Sequence, residues 1–105
     1  MYVSDLLHFL DQSGNIPKDT PEDILQMAQS LTAFVSYATD FNERIQILPF
    51  CFVAIDNKRC IGRVMPMLSL DGDNIYWHCE SCGCDGVINN WKGTFWDLSD
   101  GVECH

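Results

Sequence analysis

The cysteines are the residues of this chain best suited to chemistry, and their spacing decides which chemistry. Cys79-Glu80-Ser81-Cys82-Gly83 brings two thiols close enough to aim both sulfurs at one ion. The glycine that follows accepts the positive backbone angle that closes such a knuckle. One Cys-x-x-Cys supplies two ligands, whereas a structural zinc takes four. Cys51 and Cys60 meet the requirement for a second pair. A turn signal at Asp56-Asn57 lies between them, so they sit nearly opposite each other on the arms of a hairpin. The expected ligands are therefore Cys51, Cys60, Cys79 and Cys82, and the expected ion is zinc.

Other uses of these residues compete with that reading. A thiol–disulfide redox centre at Cys79 and Cys82 wants a helix N-terminus in a βαβ context, which the surrounding sequence does not suggest. Cys84 can stand in for Cys82 or Cys51, and His78 can compete as a ligand. Alternation along Tyr76-Trp77-His78-Cys79 turns His78 to the opposite face from Cys79. Cys104 and His105 read as bystanders. A catalytic zinc needs an open coordination position beside a placed acid or base. No such group stands out, so a non-enzymatic role is favoured.

The elements that must position the sulfurs change character along the chain. Residues 1–41 read as helical. Ser4 is an N-cap candidate, followed by Asp5 and the apolar positions Leu6, Leu7, Phe9 and Leu10, with Gly14 and Pro17 as stops. Thr20 then caps a second helix, with Pro21 at its first position and Glu22 and Asp23 favouring the positive end of the dipole. Ile24, Met27, Ala28, Leu31, Phe34, Val35 and Ala38 recur every three or four residues and form one wide apolar face. Together these predict a helical hairpin, with His8 a surface or core histidine rather than a catalytic one.

From Ile45 the pattern becomes β. Strands are expected over 47–55, 61–70, 75–79 and 87–91, with turns at Asp56-Asn57 and at Asp71-Gly72-Asp73-Asn74. Pro66 suggests an edge or a bulge in the second strand. Folding back at Gly72 would return Cys79 beside the strand that begins at Cys60, placing all four sulfurs at one end of a small sheet. The expected fold is α+β: an N-terminal helical hairpin followed by a small antiparallel sheet resembling a zinc ribbon with a wide first pair. The expected organisation is one domain over 1–105, with a helical half at 1–41, a zinc-stapled β half at 45–98 and a loose tail at 99–105.

Composition narrows the function classes. At 105 residues, 47% apolar and 20% charged, the chain suits one globular domain with a modest core. No apolar run approaches the ~20 residues that cross a bilayer. The acids in MYVSDLLHFLD replace the bases of a secretory signal, which points to the cytoplasm. There, paired cysteines mark metal sites more often than disulfides. A formal charge of -9 repels phosphate backbones, and Lys58, Arg59 and Arg63 form the only basic cluster, so nucleic acid is disfavoured as a partner.

After the knuckle, Trp91 and Trp96 flank Gly93-Thr94 and precede Asp97. Two readings remain open. Both rings can cap the sheet and shield the sulfurs from water. Alternatively, Trp91, Thr94, Trp96 and Asp97 form an aromatic face for a small ligand or a partner.

The stretch from Trp77 to Asp97 follows the pattern Trp-x-Cys-x-x-Cys-Gly-x-x-Gly-x-Ile-x-x-Trp-x-Gly-Thr-x-Trp-Asp. Leu6-Leu7-His8-Phe9-Leu10-Asp11 and Gly14-Asn15-Ile16-Pro17 fall in step with the same source, as do Cys51 and Cys60 around Lys58-Arg59. In these motifs the chain resembles a family of small, uncharacterised bacterial proteins. The resemblance implies a bacterial source and four cysteine ligands, and it leaves Cys84 out because an acid is usual at that position in the family. It implies no activity. The sequence thus predicts a zinc-bound protein-interaction or regulatory module, docking through its Met27–Leu31–Phe34 face or its tryptophans, with homodimerisation as another use of that layer. An enzyme or ligand-binding protein using the segment from Trp91 to Asp97 is the alternative.

Overall fold

The computed structural model describes residues 2–41 and 45–99, and it replaces the predicted helical hairpin with one strand, one short turn and one helix. β1 runs Tyr2–Asp5 and pairs in parallel with a strand near the other end of the described chain. A single 3-10 turn, Leu6–Phe9, follows. Asp5 rather than Ser4 caps it, its carboxylate accepting from the Leu7 amide at 3.0 Å. The predicted first helix stops there for two local reasons. Tyr2 and Val3 suit a pleated strand. The Asp11 carboxylate then takes the amides of Ser13 and Asn15 at 2.9 and 3.0 Å, offering the backbone a turn in place of a helix.

The one helix, α1, spans Glu22–Thr39. Its cap differs from expectation by one residue. Pro21 takes the N-cap position, with φ -55 and ψ 148 and its carbonyl accepting from the Leu25 amide. The Thr20 hydroxyl instead donates to the Pro17 carbonyl at 2.7 Å. Glu22 and Asp23 do occupy the first turn, where the dipole favours them. Ala28, Leu31, Phe34 and Val35 are fully buried. Burying each of the three larger side chains contributes about 1.5–3 kcal/mol. Leu31, Phe34 and Val35 are therefore taken up by the core, whereas Met27 is half-buried and Ile24, at the start of the stripe, is 44% exposed.

The second correction concerns the sheet. Four strands lie in the order β1, β6, β5, β4, where β4 is Met67–Leu68, β5 Ile75–His78 and β6 Asp85–Asn89. β4, β5 and β6 pair antiparallel, but β1 joins β6 in parallel, so the sheet is mixed rather than antiparallel. Its inner face, carrying Ile75, Trp77 and Ile88, closes on α1.

A separate hairpin pairs β2, Ala54–Ile55, with β3, Lys58–Arg59. Asp56 and Asn57 turn it with φ of 53° and 65°, the pair of positive angles that a two-residue hairpin turn demands. The predicted strands 47–55 and 61–70 are thus mostly irregular. Their arms stay together through isolated bonds, Cys51 N–H to the Gly62 carbonyl at 2.9 Å and Cys60 N–H to the Val53 carbonyl at 2.8 Å. The turn at Gly72 forms as expected, with φ +76.

Cross-strand packing joins the layers. Tyr2, Gly86 and Trp77 are register partners on β1, β6 and β5. The Tyr2 and Trp77 rings stack at 5.9 Å, and a Cβ on Gly86 would lie 2.6 Å from the indole nitrogen. Phe34 and Phe52 close on the same indole at 5.3 and 5.2 Å. The start of the predicted tail is also held: the Leu98 amide donates to the Thr39 hydroxyl, and Asp97 accepts from Ser99. The rest of that tail, with Cys104 and His105, lies outside the described residues.

Candidate metal centre

Four sulfurs meet between the hairpin and the sheet. Those of Cys51, Cys60, Cys79 and Cys82 all lie within 4.8 Å of one another, with Cys51 and Cys79 buried and the other two half-buried. They are drawn from three segments. Cys51 and Cys60 sit on the hairpin arms, Cys79 directly follows β5, and Cys82 lies in the knuckle. The site therefore bridges two sheets rather than occupying one end of a single sheet.

Distances test whether a metal fits. Cys51 and Cys82 are 3.8 Å apart, and Cys60 and Cys79 are 3.6 Å apart. A disulfide would require ~2.05 Å. Tetrahedral coordination at about 2.3 Å per Zn–S bond places sulfurs ~3.8 Å apart, so an ion of that size fits among these four.

Backbone geometry holds the donors. Gly83 takes φ +76, and its amide donates back to the Cys79 carbonyl at 2.8 Å, closing the knuckle. The Val53 amide points at the Cys51 sulfur at 3.4 Å, and the Gly62 amide at the Cys60 sulfur at 3.3 Å. Such N–H donors offset thiolate charge and fix ligand orientation. Lys58 and Arg59 line a cleft of about 360 Å³ with Cys60, Ile61, Ser81 and Cys82, setting two cations beside the half-buried sulfurs.

The thiols differ in acidity. Burial pushes the Cys51 thiol well above its ordinary value, against the opposing Val53 amide. Burial also opposes ionisation of Cys79. There the amides of Cys82 and Ser81 and the thiols of Cys60 and Cys82 outweigh it, bringing the group down to about 7. A depressed thiol favours the fold above its unfolded value, and that contribution is lost as pH falls through the folded one. Protons also compete with a metal for every sulfur. Acidification from neutral pH to about 5 should therefore release any ion held by these sulfurs together with tertiary structure, read by native mass and near-ultraviolet circular dichroism. Full metal retention at about pH 4 would contradict four-thiolate binding.

Gly62 is a site residue that the sequence did not single out. A Cβ there would lie 2.5 Å from Ser81 Cβ and 3.0 Å from Cys79 Sγ, so only glycine lets the hairpin approach the knuckle. An isolated glycine two residues after a cysteine was the only signal available.

Cys84 stands outside the four-sulfur group, its carbonyl accepting from the Cys79 amide. His78 is exposed on the outer face of β5, whereas Trp77 and Cys79 are buried. Trp91 is only 3% exposed, and its indole N–H donates to the Asp73 carbonyl at 3.2 Å. The Thr94 hydroxyl donates to the Trp91 carbonyl, and Asp97 accepts from the Gly93 amide. Trp96 is half-buried against the core, with its carbonyl accepting from the Ser36 hydroxyl.

These features define a small α+β protein with a four-cysteine cluster that can bind a metal. Among the described residues, no helix is long and apolar enough to cross a membrane. Compared with known proteins, the chain matches no protein-family model, and no curated protein and no solved structure matches it either.

Proposed function

We propose that this is a zinc-binding, non-enzymatic protein-interaction module whose metal staples the hairpin to the sheet. One observation carries the reading: four sulfurs from three segments converge at coordination distance, with two of them buried. Four thiolates saturate a tetrahedral ion and leave no position for substrate, which is the mark of a structural site. The four-sulfur group contains no acid or histidine to act as a catalytic base.

The motif from Trp77 to Asp97 supports the same reading, because its residues have structural employment. Cys79 and Cys82 contribute sulfurs, Gly83 closes the knuckle, and Gly86 receives the Trp77 indole. Ile88 fills the core, Trp91 is anchored to the turn at Asp73, and Thr94 and Asp97 tie the last loop together. On this reading the bacterial family that the motif resembles shares a way of folding around a metal.

Native mass spectrometry of protein purified under reducing conditions without added metal tests the proposal. One zinc per chain is expected, lost to a strong chelator together with β structure. A metal-free, folded protein would overturn it, and an ion of another mass would replace zinc by that metal.

A further inference from the structure

An apolar row crosses the face of the four-stranded sheet opposite α1. Val3, Val87, Tyr76 and Met67 are successive register partners on β1, β6, β5 and β4. Val3 is 70% exposed, Tyr76 47% and Met67 61%. Met65, just before β4, is 54% exposed and joins Met67 and Tyr76 around a shallow cavity of about 220 Å³. A sheet with one solvated face ordinarily carries polar side chains there, so an uncovered apolar row is informative. The flanking rows differ: Asp5 faces Asn89 on one side, and His78 faces Asp85 on the other. An apolar centre rimmed by polar groups is the anatomy of a protein interface. Methionines at its centre adapt to the shape of an incoming side chain.

Charge selects the occupant. The rim carries the exposed acid Asp5, on a chain of net charge -9. A second copy would bring nine further negative charges, and an anionic lipid surface would be repelled in the same way. A segment with bases beside an apolar stripe is attracted at the rim and buries its stripe on the row. The row spans the four strands, about 14 Å at the usual ~4.8 Å spacing, which suits a short amphipathic element.

We propose that this outer sheet face docks a basic amphipathic segment of a partner protein. The proposal rests on the interaction-module reading and names the surface it uses. The probe is a Leu/Lys amphipathic helical peptide of about eighteen residues, five turns, titrated against the metal-loaded full chain. Controls are a Leu/Glu peptide with the same apolar stripe and vesicles containing phosphatidylserine.

The Leu/Lys peptide should bind and the Leu/Glu peptide should not. Affinity should fall with added salt and by about tenfold or more in Met67→Ser/Tyr76→Ser, which alters only exposed positions. Three results would overturn the proposal: equal binding of both peptides, an unchanged affinity in the double variant, or no binding below about 100 μM. So would vesicle binding, or a dimer in sedimentation that the double variant abolishes. Each sample is weighed by native mass first. Failed docking by a chain holding one metal sinks the surface alone, whereas a metal-free folded chain sinks the module reading whatever the peptide does.

Discussion

Cys79→Ser should remove the bound metal and unfold the β part of the protein, while Cys84→Ser should change neither. Cys79 is fully buried, follows β5 directly and stands 3.6 Å from Cys60. Its loss leaves three sulfurs and a buried hydroxyl. A structural zinc contributes on the order of 10–16 kcal/mol of apparent binding energy at neutral pH. A whole domain is stable by only about 5–15 kcal/mol. The hairpin would depend most on such an ion, since its ladder consists of just two register pairs, Ala54 with Arg59 and Ile55 with Lys58. Native mass would show one ion in wild type and in Cys84→Ser, and none in Cys79→Ser. Near-ultraviolet dichroism would follow Trp77, whose ring packs on Phe34 and Phe52. Metal loss in Cys84→Ser equal to that in Cys79→Ser would refute the four-sulfur assignment.

Gly62→Ala should destabilise the protein by about 1–3 kcal/mol, the usual cost of forcing one extra carbon into a packed site. The added methyl would meet both the Cβ and the Oγ of Ser81 and press on the Cys79 sulfur. The damage is specific, because removing the obstructing side chain should relieve it. Gly62→Ala/Ser81→Gly should recover most of the loss beyond what Ser81→Gly costs alone, giving a coupling of about 1 kcal/mol or more in denaturant titrations. Additive effects would show that the hairpin reaches the knuckle by another route. Metal retention is the companion readout, since a displaced Cys79 sulfur would loosen its hold on the ion.

The corrections have a common origin in contacts between residues far apart in sequence. Leu6, Leu7, Phe9 and Leu10 carry a helical pattern, and nothing nearby in sequence shows that Tyr2–Asp5 pairs with a strand more than eighty residues away. Once β1 is in the sheet, the segment after it has room for only a single turn before Asp11 claims the next amides. The second helix was legible because its apolar stripe is long and local, and its start was misplaced by one residue because Pro21 and Thr20 carry rival capping signals. The strands around Cys51 and Cys60 read as longer than they are. Their β-branched and aromatic residues suit a sheet, but the arms are held by scattered bonds and the sulfur cluster rather than by a continuous ladder.

Features that depend on local chemistry were readable from the residues alone. Cys-x-x-Cys-Gly dictates a knuckle because two thiols and one flexible residue are enough to define it. Asp56-Asn57 dictates a two-residue turn because both side chains tolerate positive φ, and that turn faces Cys51 toward Cys60. Long-range packing settled that these pieces belong to different sheets, that Gly62 must be small, and that α1 buries Leu31, Phe34 and Val35 while Val3, Tyr76 and Met67 stay exposed. Those outcomes turn on which surfaces meet. A side chain's type shows that it seeks burial, and only the packed chain shows which surface provides it.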